Sequence, residues 1–193
     1  MIMPFSDLAN QCAPYVHQDT ISSLVSTESS LNPYAIAVVR PHIPYRNPRT
    51  RKEALALIAR LETINANYSV GLGQINSANF KRFRLTAADL LDPCINLQAA
   101  QKVLSECYER YGKVNKALSC YYSGNPRIGY YLEKSGTSYV QRVHTRFRQL
   151  KANPKIWIPS LASEPMAHPI KRRSTARKFL KRKNVFQIKY ARF

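Results

Sequence analysis

Glu28, in the stretch LVSTESSLNPYAI from Leu24 to Ile36, is the residue best placed to do chemistry. Ile21, Leu24, Val25 and Glu28 fall at i, i+3, i+4 and i+7, which is one face of a helix. A carboxylate on an apolar face is costly to bury as the charged form. Burial favours the neutral acid and raises its pKa. A carboxyl group kept protonated near neutral pH is what a general acid needs to protonate a glycosidic oxygen. The spacing alone also fits a helix-end Glu that points to solvent or pairs with Arg. Asp89 and Asp92, in AADLLDPC, are the other candidate carboxylates, and Asp92 before Pro93 reads as a helix cap. His17, His42, His144 and His168 are scattered singly, so neither a metal site nor a cofactor is expected.

The elements that would position Glu28 follow from periodicity and punctuation. Ser6 to Cys12 suits a short first helix, with Ser6 or Asp7 as its cap. Asp19-Thr20 caps the Glu28 helix, and Pro33 stops it by biasing Asn32 away from α. Ile36 to Val39 suits a short strand, followed by the Pro-rich loop RPHIPYRNPRT. Arg51 to Asn65 is helical. In NYSVGLGQIN, Gly71 and Gly73 mark a tight turn or a close backbone approach. Asn76 or Ser77 opens a short helix. Asp92-Pro93 starts an amphipathic helix, Ile95 to Arg110, that Gly112 ends. Lys116 to Tyr122 is helical up to Gly124-Asn125-Pro126, and Ser138 to Asn153 is the last helix. About seven helices with little strand make the fold mainly α.

Composition separates the C-terminal part. The 193 residues carry 30 Lys/Arg and 11 Asp/Glu, a net charge of +19, which suits acidic partners such as wall polymers, anionic lipid or nucleic acid. From Lys151 onward there are 12 Lys/Arg against the single acid Glu164, a balance of +11. Residues 154–193 therefore read as a Pro-containing linker and a basic tail, expected to be disordered on its own, and 1–153 as the folded domain. The tail is either a docking segment for an anionic partner or a solvated charged end. A hydrophobic fraction of 45% is enough for a core. There is no apolar run long enough for a membrane span. MIMPFSDLANQ lacks the basic-then-apolar pattern of a signal peptide.

The four cysteines, Cys12, Cys94, Cys107 and Cys120, lack zinc-site spacing. Their even number suits two disulfides and an oxidising compartment, with three connectivities open; four reduced buried thiols are the alternative. Cys107 and Cys120 fall on consecutive helices joined by the tight YGKVN turn, which favours that pair and leaves Cys12 with Cys94.

Four segments occur in order: ESSLNPYAI, NYSVGLGQIN, DPCINLQAAQKVL and ALSCYYSGN. Together they resemble the lysozyme-like catalytic domain of lytic transglycosylases, in particular those of type IV secretion systems, over roughly Phe5 to Leu150. The resemblance implies a lysozyme-like fold and a role for each matching position. Glu28 matches the single catalytic acid and Ser29 the Ser after it. GLGQIN matches a segment that lines the glycan cleft. It brings in Gly71, Gln74 as a hydrogen-bond partner of a sugar N-acetyl or hydroxyl group, and Asn76, with Gly73 where Met is common. Asn96-Leu97 matches a structural helix start. Tyr121 and Tyr139 match tyrosines near the acid and the cleft. Tyr122 stands where the family has Asn. Tyr130 and Tyr131 are expected to be surface or core residues.

The implied substrate is peptidoglycan, cleaved by one acid with formation of 1,6-anhydro-N-acetylmuramic acid. The implied partners are secretion-system components and the implied location is the periplasm. A hydrolytic muramidase is the alternative among enzymes. A non-catalytic assembly or nucleic-acid-binding protein using the basic tail is the alternative outside them.

Overall fold

The computed structural model describes residues 5–152. The basic tail expected from residue 154 lies outside them. Seven α-helices and a small sheet follow one another: α1 Phe5–Cys12, α2 Gln18–Ser29, β1 Ile36–Arg40, α3 Arg51–Thr63, β2 Asn67–Val70, β3 Ile75–Asn76, α4 Phe80–Phe83, α5 Pro93–Tyr111, α6 Val114–Ser123 and α7 Tyr139–Ala152. Short 3₁₀ turns cover Ser77–Asn79, Asp89–Leu91 and Ile128–Tyr130. The mainly α expectation with a minor β element holds. None of the described helices is long and apolar enough to cross a membrane.

The helix ends follow local chemistry. Asp92 caps α5 by accepting from the amides of Cys94 (2.8 Å) and Ile95 (3.0 Å), with Pro93 in the first turn. Gly112 and Gly124 close α5 and α6 in the left-handed conformation, φ 65° and 73°. Thr50 caps α3 by accepting from the Glu53 amide. The start of α2 differs from the sequence expectation. Its cap is His17, whose Nδ1 accepts from the Asp19 amide at 3.2 Å. Asp19 instead sits in the first turn, where its charge meets the helix dipole and Lys151 Nζ at 2.6 Å. The end of α2 also comes early. Ser30 and Leu31 take left-handed φ values of 51° and 65°, so the chain leaves the helix before Pro33.

The sheet is an antiparallel meander. Ile36 pairs with Val70 and Ala37 with Ser69, while β2 turns back through 71–74 so that Val70 faces Ile75. The core gathers around α5, whose Leu97, Ala100 and Leu104 are buried against Ala117 and Leu118 of α6. Ile21, Leu24 and Val25 of α2 are buried, and α2 packs along α7, which buries Val140 and Val143. Cys12 is bonded to Cys94, tying α1 to α5, and Cys107 to Cys120, tying α5 to α6. The packing brings three things together: the end of α2, the start of α7 and the turn between β2 and β3.

Candidate active site

Glu28 lies in the last turn of α2, and Tyr139 is the first residue of α7. The buried Tyr139 hydroxyl donates to Glu28 Oε1 at 2.5 Å. Burial pushes the Glu28 carboxyl up from an ordinary value of 4.5 to about 7. The Tyr139 hydrogen bond and the Arg142 charge pull the other way, and desolvation outweighs both. The residue as a whole is only half-buried. Ser29 is buried, and its Oγ donates to Val25 O at 3.1 Å, so the hydroxyl serves the helix.

The 71–74 turn is clamped from beneath by Asn96. Fully buried on α5, Asn96 donates from Nδ2 to Val70 O (2.9 Å) and Leu90 O (2.8 Å), and accepts at Oδ1 from the Gly73 amide (2.7 Å). Gly71, at φ 79°, is required here: a Cβ would stand 2.1 Å from Asn96 Nδ2 and 2.6 Å from Leu90 O. At Gly73 a Cβ would stand 2.7 Å from the Ala100 Cβ and 2.9 Å from the Tyr121 hydroxyl. A Met side chain at this position would displace both. The Gln74 amide Nε2 donates back to Ala35 O (3.0 Å) and Gly71 O (2.9 Å), whereas its Oε1 is buried without a partner.

Tyr121 of α6 closes the other side of the turn. Its hydroxyl donates to Gly73 O at 2.5 Å. Burial and the nearby Glu28 charge raise its pKa well above the phenol value. The hydroxyls of Tyr121 and Tyr139 are thus both engaged inside the protein. Tyr122 stacks on Tyr139 with ring centroids 4.5 Å apart and planes 13° apart, and is itself exposed on its outer side. Burial and the nearby Glu133 charge raise the pKa of its hydroxyl, and Glu133 itself accepts from Arg142 at 2.9 Å. Tyr130 and Tyr131 are surface residues.

Other residues singled out in the sequence fall elsewhere. Asn76 donates to Asn67 Oδ1 and Ser69 Oγ across the sheet and accepts from the Ala78 amide, capping the 3₁₀ turn. Asp92 is the α5 cap, and Asp89 accepts from the Thr86 amide and hydroxyl. A cavity of about 330 Å³ opens between α1, α2 and the end of α7, lined by Phe5, Asp7, Asp19 and Lys151, and none of the Glu28 group borders it. Sequence reasoning missed Glu133 and Arg142 altogether and saw Asn96 only as a helix start. Arg142 sits three positions after Tyr139, on the same helical face, which was the available signal; nothing in the spacing marks Glu133.

A half-buried acid under a tyrosine, beside a clamped turn in a mainly α domain, suits acid catalysis on a glycan. Comparison with known proteins makes the class specific: the Transglycosylase SLT domain family matches residues 7–144, and the chain belongs to that family as a lytic transglycosylase acting on peptidoglycan. It is 35% identical over 189 residues to the "Type IV secretion system protein virB1" of Brucella abortus, covering 91% of this chain and 79% of the relative. The Brucella suis protein of the same name is equally similar, 35% over 189 residues. "Protein virB1" of Agrobacterium fabrum is 28% identical over 170 residues, covering 83% of this chain and 63% of that protein. No solved structure gives a significant match.

Proposed function

We propose that this protein cleaves the β-1,4 bond between N-acetylmuramic acid and N-acetylglucosamine in peptidoglycan, forms 1,6-anhydro-N-acetylmuramic acid, and so opens the wall for assembly of a type IV secretion or conjugation apparatus. The observation that carries the reading is the Glu28 carboxyl, raised to about 7 by burial and bonded to Tyr139. A protonated Glu28 donates its proton to the bridging oxygen as the C1–O bond breaks, releasing the N-acetylglucosamine end as an alcohol. The substrate's own N-acetyl group stabilises the developing cation at C1. The Glu28 carboxylate then removes the proton of the C6 hydroxyl of the same muramic residue. The C6 oxygen bonds to C1, and Glu28 is protonated again. One group serves as acid and then as base, as microscopic reversibility requires.

The surroundings support this use of a single acid. Glu133 is already bound to Arg142. Asp89 and Asp92 are engaged in backbone bonds. Gln74 spends Nε2 on Ala35 O and Gly71 O and keeps Oε1 buried, so in this state it braces the turn that borders Glu28. Tyr121 and Tyr139 position the turn and the acid, and the exposed Tyr122 ring is the aromatic surface nearest them. Two disulfides fit an oxidising compartment such as the periplasm, and the "Type IV secretion system protein virB1" name of the Brucella relatives supports a role in type IV secretion.

Mass spectrometry of muropeptides released from purified sacculi tests the reading. Anhydro-muropeptides are expected from the wild type and none from Glu28→Gln. Reducing ends would establish a hydrolytic muramidase instead. Undiminished digestion by Glu28→Gln would remove Glu28 from the chemistry.

A further inference from the structure

Glu28 is faced by Tyr139 and Arg142 from α7 and by Tyr121 and Tyr122 from α6, with Glu133 behind Tyr122; the 71–74 turn carries no ionisable side chain. Arg142 is the only cation in this set. Its guanidinium lies 5.6 Å from the Tyr139 ring centroid, and it binds Glu133 at 2.9 Å rather than Glu28. Its Nε is buried with no acceptor, so the guanidinium would gain a bond by turning onto another carboxylate. Such a turn would pair Arg142 with Glu28 and hold the acid in its ionised form, which cannot protonate a leaving oxygen.

Arg142 is instead bound by residues beyond the reacting group. Glu133 sits in a loop closed on itself, with its amide donating to Thr137 O (3.0 Å) and its carbonyl accepting from the Gly136 amide (2.9 Å). Its carboxylate takes Arg142 at 2.9 Å and lies near the Tyr122 hydroxyl, whose pKa its charge raises. The Tyr122 ring in turn lies flat on Tyr139. The residue that stands in place of the Asn expected by resemblance thus connects the acid's hydrogen-bond partner to the carboxylate that restrains the neighbouring cation. An Asn at 122 has neither a ring to stack on Tyr139 nor the reach of a phenol hydroxyl.

We propose that Tyr122, Glu133 and Arg142 form a positioning unit in which Glu133, steadied by Tyr122, holds Arg142 off Glu28 while the Tyr122 ring holds Tyr139 against it. The unit acts through charge placement. Its members therefore have opposite effects on Glu28, which three merely structural residues would not. Losing Glu133 releases a cation toward Glu28 and favours its ionised form. Losing Arg142 removes that cation and favours the protonated form.

The test is an NMR titration of the Glu28 carboxyl carbon in the full chain, with the pH dependence of sacculus digestion measured alongside. Glu133→Gln is expected to lower the Glu28 midpoint by about one pH unit, the ordinary effect of an opposite charge brought close. Arg142→Gln is expected to raise it, and the double variant to titrate like Arg142→Gln alone. Tyr122→Phe, which keeps the ring and so the fold, is expected to move the midpoint the same way as Glu133→Gln, by less. Equal shifts of one sign for Glu133→Gln and Arg142→Gln, or none in Tyr122→Phe and Glu133→Gln, would overturn the proposal. The inference rests on Glu28 as the reacting acid, but the titration reads its ionisation directly. A failure of the anhydro-product reading therefore shows in the muropeptides and leaves the titration result standing.

Discussion

The Tyr139 hydroxyl and the Glu28 carboxylate, 111 residues apart in the chain, meet at 2.5 Å. This contact joins the last turn of α2 to the first residue of α7. It sits where the apolar packing of the two helices ends and polar chemistry begins. Removing the hydroxyl and keeping the ring isolates it. Tyr139→Phe retains the stack on Tyr122 and leaves Glu28 without its donor. Because that bond favours the ionised acid, its loss moves the alkaline limb of activity to higher pH. A drop in rate of about tenfold to a hundredfold is expected from an acid no longer oriented. Rate–pH profiles on sacculi check both; an unchanged limb would show that the hydrogen bond does not set Glu28.

The raised pKa of Glu28 is also a statement about stability. The folded state binds the Glu28 proton more tightly than the unfolded chain, with a midpoint of about 7 against 4.5. The associated stability is fully present below pH 4.5 and is lost as the pH rises through 7. Glu28→Gln removes that loss. At pH 8 the variant is expected to be more stable than the wild type, by about 3 kcal/mol, and less active by a factor of about 10² to 10⁴. Thermal melts at pH 5 and pH 8 separate the two: the gain appears only at the higher pH.

How much of this was legible in the sequence depended on distance along the chain. The face that carries Glu28 showed in the helical period of Ile21, Leu24 and Val25. The start of α5 showed in Asp92-Pro93, and the helix stops in Gly112 and Gly124, because caps are local. Asn96 gave no such signal. Its three bonds reach Val70, Leu90 and Gly73, so a polar residue inside a helix looked like a helix start and proved to be the clamp of the turn. β2 and β3, four and two residues long, are too short for alternation to register. Glu133 was invisible because it sits in a loop, with its partner Arg142 on α7.

The clamp makes a quantitative prediction. Asn96→Ala leaves two carbonyls and one amide without partners in a buried site, which costs about 3 kcal/mol or more. The turn then loses its position relative to Glu28, so activity falls along with stability. Chemical denaturation and sacculus digestion check this; an unaltered denaturation midpoint would mean that the turn holds itself.

Gly73 tests the fit of the turn against α5 and α6. Gly73→Ala places a Cβ 2.7 Å from Ala100 and 2.9 Å from the Tyr121 hydroxyl, so something must shift. A loss of about 1–3 kcal/mol is expected, as for overpacking elsewhere. Ala100→Gly in the same chain removes the nearer clash and is expected to recover part of the stability, at the cost of a helical glycine. Non-additive melts of the two single variants and the double variant are the evidence sought.

The disulfides differ in what their loss releases. Cys12–Cys94 closes a separation of 82 residues and Cys107–Cys120 one of 13. On the loop-entropy view the first contributes about 4 kcal/mol and the second about 3 kcal/mol. The shorter loop is also held by α5 packing on α6, which persists when the bond is cut, while α1, an eight-residue helix, packs on α2 and α5 through Phe5 and Ala9. Cys12→Ser with Cys94→Ser is therefore expected to lower the melting temperature more than Cys107→Ser with Cys120→Ser. Neither loss touches Glu28 directly, so residual folded protein keeps its activity per folded molecule. Melts of both double variants, with digestion rates normalised to the folded fraction, decide the order; a larger loss from the shorter loop would mean that strain or packing, not chain entropy, governs these bonds.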